Sequence, residues 1–432
     1  MKTASAEVHT LNCRKLLVVL TLLSALCTGS VSAQNVVTDW NAVASTTIVQ
    51  NGAEPAAASF VWFAYAAIAT YDAVNAVNRQ FEPFYYFGQA PADASAEAAA
   101  VAASHRVLVY YFPSQQPDLD SQFAASLAAI NASDQAKADG VAVGEASAAA
   151  LIAVRANDGL LADVPYTPCT GPGCWQPTPP KFLPAATPWL AQMEPFTMTS
   201  ASQFLPAGPP PLDSPEWKHD YNLTRILGES DSTRRTAAQT EIGLFWTEHP
   251  GQQFARAFGY LAVNNSLSVQ DAARLMAMLW TGAADAVIGC FNAKYTYSFW
   301  RPVTAIPGGG GAGLPVDSDW LPLGITPNHP EYPANHACDT GAISHLIAGY
   351  FGTSQVHIVV DSLVFPDGVH THVFEDTGDL FHEVFWARIY AGFHFRHSLR
   401  DGGELGRSVA HQLLREHFGP LGTDTQAAVG RE

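Results

Sequence analysis

The sequence predicts an all-α protein built from helical bundles, with minimal strand content. Apolar residues recur at helical spacing along most of the chain, alanine is abundant in the first half, and strand-like runs are few. Because 48% of the residues are hydrophobic and 14% are charged, the chain can bury a large core, which excludes a disordered protein. Alanine-rich helices can approach closely, as bundle packing requires.

The helical spacing defines a series of predicted elements. They cover residues 55–79, 92–112, 118–131, 133–156, 214–229, 232–247, 252–263, 268–298, 335–351, 378–391 and 397–417. Ser133, Ser232 and Ser268 are predicted N-caps, because a serine hydroxyl can accept from a free amide of the first turn. Residues 356–360 form one of the few strand-like runs.

A proline-dense segment, residues 158–214, separates two helical series. No helix persists through so many prolines, and loops of this length are usually functional or lie against the surface. Its large apolar side chains predict that it packs against the body of the protein. These side chains are Trp175, Phe182, Trp189 and Phe196.

The first 33 residues have the order of an export signal. Basic residues precede an apolar run, 16–26, that is too short to span a bilayer, and Val31-Ser32-Ala33 offers a cleavage site before Gln34. We therefore expect a secreted or periplasmic protein with no integral membrane span. In such a compartment Cys169 and Cys174 are predicted to form a disulfide across a Thr-Gly-Pro-Gly turn.

The same features suggest a division of the chain. Residues 1–33 are a signal peptide, 34–157 an N-terminal helical half, 158–214 the proline-rich wrapping segment, 215–418 a C-terminal helical half and 419–432 a tail. Cys290 and Cys338 are a second candidate disulfide pair in the C-terminal half.

The formal net charge of −17 restricts the possible partners. So acidic a chain argues against nucleic acid or an anionic membrane as the binding partner. An anionic ligand would need a local cationic pocket, so clustered lysine and arginine are informative here. The oligomeric state is left open.

Three segments supply candidates for such a pocket. Lys294 and Arg301 are seven residues apart, which predicts one face of a helix that Pro302 then ends. Further along, Pro333 precedes a predicted helix start, where free amides and the helix dipole favour anions. His336 lies in that first turn, where an imidazole can exchange protons with a bound group.

The third segment contains Arg388 and His394. A spacing of six does not share a helical face, but Gly392 allows a chain break that would let the two side chains converge. Arginine can contact a tetrahedral oxyanion in a bidentate manner. Taken alone, each of these three segments favours the simpler interpretation of a solvated charged face or a structural histidine.

Taken together, Lys-x6-Arg-Pro, Pro-x-x-His and Arg-x5-His resemble the signature of the vanadium-dependent haloperoxidases and the type 2 phosphatidic acid phosphatases. Trp175-Gln-Pro-Thr-Pro-Pro180 and the run Ala387-Arg-Ile-Tyr-Ala-Gly-Phe-His-Phe395 are similar to the bacterial haloperoxidase-like branch. The resemblance covers roughly residues 39–418. It implies an all-helical, haloperoxidase-like fold with two bundle halves and a vanadate cofactor.

The resemblance also implies a role for each matching residue. Lys294, Arg301 and Arg388 would bind vanadate oxygens, His394 would bond to the metal, and His336 would be the acid–base residue. The backbone amide of Asn335 would also contact the oxyanion. His329, with Phe291, would lie near the halide, and histidine at that position resembles the bromoperoxidase type. The implied activity is oxidation of halide, bromide rather than chloride, by hydrogen peroxide, followed by halogenation of a small organic acceptor.

The chain departs from the family pattern at one point. The usual Pro-Ser-Gly-His reads Pro333-Ala334-Asn335-His336, so the serine hydroxyl is missing. One lost neutral hydrogen bond costs about 1 kcal/mol, so we expect oxyanion binding to survive, and peroxidase efficiency is what the change puts in question. Two alternatives remain: a secreted acid phosphatase in which His394 forms a phospho-histidine, and a non-catalytic oxyanion-binding relative.

A separate pair, His370 and His372, would place two imidazoles on one face of a strand, as in a metal site, although no third ligand is evident. Three acidic residues could orient catalytic groups, although surface or helix-dipole roles are the simpler expectation. They are Asp285, Asp339 and Glu383.

Overall fold

The computed structural model describes residues 35–311 and 313–422. Its α-helices, in chain order, are α1 (Val36–Ser45), α2 (Ser59–Asn78), α3 (Ala96–Tyr111), α4 (Gln116–Ala129), α5 (Asp134–Val154), α6 (Pro215–Leu227), α7 (Ala237–Phe245), α8 (Pro250–Asn264), α9 (Val269–Tyr297), α10 (Pro302–Ala305), α11 (Asn335–Phe351), α12 (Thr377–Tyr390) and α13 (Arg396–Glu416). Short 3₁₀ turns lie at Pro113–Gln115 and Pro188–Gln192, and a π-helical turn at Thr46–Asn51 extends α1. The predicted all-α class is confirmed.

Helix α9 organises the core. It is 29 residues long and is buried along most of its length. On one side it contacts α2, which also packs against α3 and α5, and on the other side it contacts α11 and α13. Small residues allow this close packing, and they are frequent in α2 and α3. One central helix therefore joins two groups of helices.

The predicted helix starts were mostly correct. Ser133 accepts from the amide of Ala136, and Ser268 accepts from the amide of Asp271, as N-caps do. The prediction for Ser232 was wrong, because α7 begins later and Thr236 is its N-cap in a capping box. Helix α1 was not predicted from the sequence.

The proline-rich segment is held against the helices by buried hydrogen bonds. Asp285, on α9, is fully buried and accepts from the amides of Phe196 and Thr197 at 2.7 Å each, whereas a surface or helix-dipole role was expected. Trp175 is buried, as predicted, whereas Phe182 is 64% exposed, so the prediction that it packs inward was wrong. The same segment also contacts the loop before α11, because the amide of Ala186 donates to the carbonyl of Asn328.

A β-hairpin lies between α11 and α12. Strands β1 (Ile358–Ser362) and β2 (His370–Phe374) pair antiparallel, with Val360 opposite His372. The predicted strand therefore begins two residues later than the sequence suggested. His370 and His372 do lie on one face of β2, as their spacing predicted.

The cysteines follow only part of the prediction. Cys169 and Cys174 form the expected disulfide. Cys290 and Cys338 are both buried and free, so the second predicted disulfide was wrong. The two thiols lie in hydrogen-bond contact, and Cys290 Sγ donates to the carbonyl of Pro333, which gives each thiol a partner without a covalent link.

Two helices, α2 and α9, are long and apolar enough to cross a membrane by length and composition alone. In each helix, 94% of an 18-residue apolar stretch is buried inside the protein, as in the core helix of a globular fold. The predicted signal peptide, with Cys13 and Cys27, and most of the predicted tail lie outside the described residues.

Candidate active site

Six predicted site residues line one cavity of about 250 Å³, called here the oxyanion cavity. They come from four separate stretches of chain: Phe291, His329, Asn335, His336, Arg388 and His394. Its rim is formed by small or apolar residues near α2 and α8 and by Ala186 and Thr187 of the proline-rich segment. The fold thus brings together residues that are up to about a hundred positions apart in the sequence.

Helix α11 presents its first turn to the cavity. It begins at Asn335, directly after the turn at Pro333, and Ala334 provides no side-chain cap. The amides of this turn and the positive end of the helix dipole therefore face the cavity wall, where they favour an anion. The side-chain amide of Asn335 donates to Asp339 at 3.2 Å, and burial raises the pKa of Asp339 to about 7.

His336 stands in this first turn beside the cations. Burial, and then the charges of Arg388, Lys294 and Arg301, hold the pKa of His336 well below its ordinary value. The imidazole is therefore neutral near pH 7 and has a lone pair with which to accept a proton. An anion bound in the cavity would raise this pKa again, because it would offset the surrounding positive charge.

Arg388 and His394 converge as the sequence predicted. Helix α12 ends at Tyr390, and Gly392 takes a left-handed φ of +75°. A Cβ there would lie 2.4 Å from the carbonyl oxygen of Gly228, so this turn requires glycine. Arg388 Nη1 donates to the carbonyl of Trp246, while its Nε is buried and has no partner among the described residues. Burial lowers the pKa of Arg388 to about 9.

Lys294 and Arg301 reach the site by a different route from the predicted one. The expectation that they share a helical face was wrong, because α9 ends at Tyr297 and Ser298 turns the chain with a φ of +48°. Arg301 follows in an extended conformation, and Pro302 begins α10 rather than ending a helix. Burial lowers the pKa of Lys294 to about 8 and that of Arg301 to about 10.

Both cations lie just behind the cavity wall and are engaged by protein acceptors. Lys294 Nζ donates to the carbonyls of Pro330 at 3.0 Å, Glu331 at 2.9 Å and Pro333 at 2.5 Å, which uses all three of its protons. Its charge therefore fixes the turn before α11 and acts on the cavity through space. Direct contact of Lys294 with an oxyanion stays a prediction.

Arg301 is the nearest cation to His394. Its Nη1 lies 3.0 Å from His394 Nε2 and also donates to the carbonyl of Phe393. Its Nε donates to the carbonyl of His329, and its Nη2 lies 3.0 Å from His329 Nδ1. Burial and the neighbouring cations hold the pKa values of His329 and His394 well below the ordinary value, so both rings are neutral near pH 7.

Glu331 is the site residue that the sequence reading missed. Its carboxylate is fully buried, and Oε1 lies 2.9 Å from His394 Nδ1 and 2.9 Å from the backbone nitrogen of Phe395. An acidic residue between Pro330 and Pro333, within the candidate anion-binding stretch, was the available signal. A buried carboxylate needs a hydrogen-bond donor as its partner, and His394 Nδ1 supplies one.

The other candidate metal site belongs to a different part of the surface. His372 contacts Glu383 at 2.6 Å and Glu241 at 3.2 Å, and His370 contacts Glu241 at 3.0 Å. Among residues 35–311 and 313–422, however, no group of three histidine, cysteine or acidic side chains is arranged to hold a metal ion. The suggested two-histidine metal site therefore has no structural support.

The oxyanion cavity combines positive charge, helix-terminal amides and three neutral imidazoles. Such a set can stabilise a tetrahedral or trigonal-bipyramidal oxyanion and can place one imidazole nitrogen against its central atom. The missing hydroxyl at Ala334 removes one donor from this set and leaves its charge unchanged.

Comparison with known proteins identifies the kind of fold that carries this cavity. Residues 274–419 match the family model of the VCPO second helical-bundle domain. The vanadium chloroperoxidase of Curvularia inaequalis is 26% identical over 189 residues, a match that covers 35% of this chain and 30% of that protein. The matched region is therefore less than a third of that relative.

The solved structures extend the similarity to nearly the whole chain. The structure of the first bacterial vanadium-dependent iodoperoxidase matches with a TM-score of 0.76 and 23% identity over 89% of this chain and 97% of that one. A bacterial vanadium-dependent chloroperoxidase in its holo form matches with a TM-score of 0.68 and 17% identity over 86% and 94%. The resemblance drawn from the sequence is confirmed, and the chain has the fold of the vanadium-dependent haloperoxidases.

Proposed function

We propose that this protein is a vanadate-dependent haloperoxidase that oxidises halide with hydrogen peroxide and thereby halogenates small organic acceptors. One observation carries the proposal: His336, Arg388 and His394, from two separate segments, line one cavity, and Arg301, from a third segment, lies 3.0 Å from His394 Nε2. The fold and the relatives are consistent with this chemistry.

The residues present fit vanadate. Arg301 and Arg388 offer charged donors, the first turn of α11 offers amides, and His394 offers a nitrogen lone pair. His394 would hold the metal, Arg301, Arg388 and Lys294 would balance the charge of its oxygens, and Asn335 would contribute its backbone amide. When bound, vanadate supplies a Lewis-acidic centre that activates hydrogen peroxide toward halide.

His336 is the acid–base residue in this proposal. It is neutral near pH 7 and lies on the same cavity wall as Arg388, so it can take a proton from hydrogen peroxide as the peroxide enters the site. His329 and Phe291, whose rings are 5.1 Å apart, form the proposed halide side of the cavity. We propose bromide as the preferred halide, on the resemblance of His329 to the bromoperoxidase type.

A second candidate, an acid phosphatase, is favoured by the state of His394. Its ring is neutral and its Nε2 faces the cationic side of the site, which is what a nucleophile attacking phosphorus needs. His336 would then protonate the leaving group. We further propose that the protein is exported, in keeping with the Cys169–Cys174 disulfide.

The experiment is to load the purified protein with orthovanadate and assay bromination with hydrogen peroxide, and to assay p-nitrophenyl phosphate hydrolysis by the vanadate-free protein alongside. The proposal expects vanadate-dependent bromination that exceeds chlorination. Phosphate ester hydrolysis without bromination would replace it with the second candidate. Vanadate binding with neither activity would leave a non-catalytic relative, as the loss of serine at Ala334 allows.

A further inference from the structure

We propose that Glu331 is a positioning residue, which fixes His394 in the tautomer that carries its proton on Nδ1 and its lone pair on Nε2. The inference deepens the proposed function, since it rests on His394 as the residue that bonds the oxyanion's central atom. It concerns a carboxylate that lies outside the three motifs described above.

The first constraint on the tautomer comes from Arg301. A guanidinium group has donors and no acceptor, and Arg301 Nη1 lies 3.0 Å from His394 Nε2. Nε2 must therefore accept, so it has no proton. A neutral imidazole carries one proton, which places it on Nδ1.

The second constraint comes from Glu331, on the other side of the ring. The backbone amide of Phe395 can only donate, so Glu331 Oε1, 2.9 Å away, accepts there. The same oxygen lies 2.9 Å from His394 Nδ1, where it accepts the proton that the first constraint requires. Two neighbours that meet different nitrogens of the ring thus select one tautomer.

Glu331 can act in this way because it is itself immobilised. Its side chain is fully buried, and its backbone carbonyl accepts from Lys294 Nζ at 2.9 Å. The residue therefore links the charge of Lys294 to the orientation of His394. A carboxylate acceptor at one imidazole nitrogen makes the other nitrogen a better ligand, and loss of such a partner typically costs about 10–100-fold in affinity.

The chain contains a matched control. Asp220 is a fully buried carboxylate whose Oδ2 accepts from His397 Nδ1 at 2.9 Å and from the backbone amide of His397 at 2.8 Å. Asp220→Asn therefore disturbs the same kind of contact three residues further along the chain. It should lower stability without changing the tautomer of His394.

The test compares the full chain, Glu331→Ala, Glu331→Gln and Asp220→Asn. Imidazole ¹⁵N NMR reports the tautomer, with the His394 signal identified by its loss in His394→Ala, and calorimetry reports orthovanadate affinity. We expect the parent to show a protonated Nδ1 and an unprotonated Nε2. Glu331→Ala should mix the tautomers and weaken binding by about 10–100-fold, while Glu331→Gln, which keeps an acceptor oxygen, should lose less.

The outcomes separate the two proposals. A parent protein that shows an Nε2-protonated His394 overturns the inference, whether or not any variant folds. Unchanged tautomer and affinity in Glu331→Ala overturn it as well, and so does an equal loss of affinity in Asp220→Asn. If the parent binds no vanadate but Glu331→Ala still mixes the tautomers of His394, the positioning role of Glu331 stands and the proposed function fails.

Discussion

Two clusters of histidines in this protein have opposite electrostatic surroundings. In the oxyanion cavity, burial and the charges of Arg301, Lys294 and Arg388 hold the pKa of His394 well below its ordinary value. On the β-hairpin, the hydrogen bond to Glu241 raises the pKa of His370. Burial opposes protonation of His372, but Glu383 and Glu241 outweigh it and raise that pKa too.

The difference shows how a chain of net charge −17 can still gather positive charge around one cavity. On the hairpin, acidic side chains from α7 and α12 contact the two imidazoles and favour their protonated form. In the cavity, arginine and lysine side chains are gathered from separate segments, and the carboxylate of Glu331 contacts the ring nitrogen of His394 that faces away from Arg301. The cavity therefore keeps its imidazoles neutral, whereas the hairpin favours their protonated, ion-paired form.

The largest expected effect separates two of the cavity histidines, His394 and His336. His394→Ala should abolish bromination while leaving weak orthovanadate binding, because the cations remain without the bonding nitrogen. His336→Ala should retain vanadate but slow turnover by about a hundredfold or more, the usual scale for a lost acid–base group. Bromination rates and calorimetric titration of both variants give the measurement, with His372→Ala as the hairpin control. Loss of the activity in His372→Ala to the same extent would remove the distinction between the clusters.

The next effect concerns charge in the cavity. Arg388→Ala should weaken orthovanadate binding by about 1.5–3 kcal/mol, or roughly 10–100-fold, because a buried anion loses a charge-assisted partner. Affinity losses for Arg388→Ala and His394→Ala should both exceed the loss for His336→Ala. Arg234→Ala, which removes an exposed arginine, is the control. If all three cavity variants bind like the parent, these residues do not share one binding site.

The sequence predicted which residues come together better than it predicted the secondary structure that brings them together. The convergence of Arg388 and His394 was predicted correctly, because a glycine between them, Gly392, indicates that the helix can end there. Lys294 and Arg301 were placed on one helix, since nothing in Tyr-Thr-Tyr-Ser indicates the left-handed turn at Ser298. Spacing alone cannot distinguish a helical face from two elements that packing brings together.

The sequence also did not predict polar contacts between residues far apart in the chain. Asp285 was expected to have a surface or helix-dipole role, yet tertiary packing buries it against the amides of Phe196 and Thr197, about ninety residues away. Glu331 was missed for a similar reason, because its partner His394 is 63 residues further along the chain. The helices were predicted well because their signals are local, and these contacts depend on the assembled fold.

A smaller effect should appear in the pH dependence of anion binding. Because the pKa of Lys294 is about 8, its positive charge is lost as the pH rises through that value. Binding of sulfate, which does not titrate in this range, should weaken by at most about tenfold per pH unit above pH 8. Calorimetry between pH 7 and 9 checks this, and Lys294→Met should flatten the profile. The exposed Lys181 gives the matched control, since Lys181→Met should keep the parent's pH dependence.

The smallest expected effect lies on the hairpin and has a pH window of its own. The folded-state pKa values of His370 and His372 are raised, so their ion pairs stabilise the fold fully below the unfolded value of about 6.5 and lose that contribution as the pH rises through the folded values. For the half-buried His372 the contribution is about 0.2–1 kcal/mol. Thermal unfolding of the parent and of His372→Gln at pH 6 and pH 8.5 measures it. The parent should lose more stability than the variant between these two pH values. An equal loss would show that His372 does not stabilise the fold as an ion pair, which would contradict the contrast with the cavity histidines.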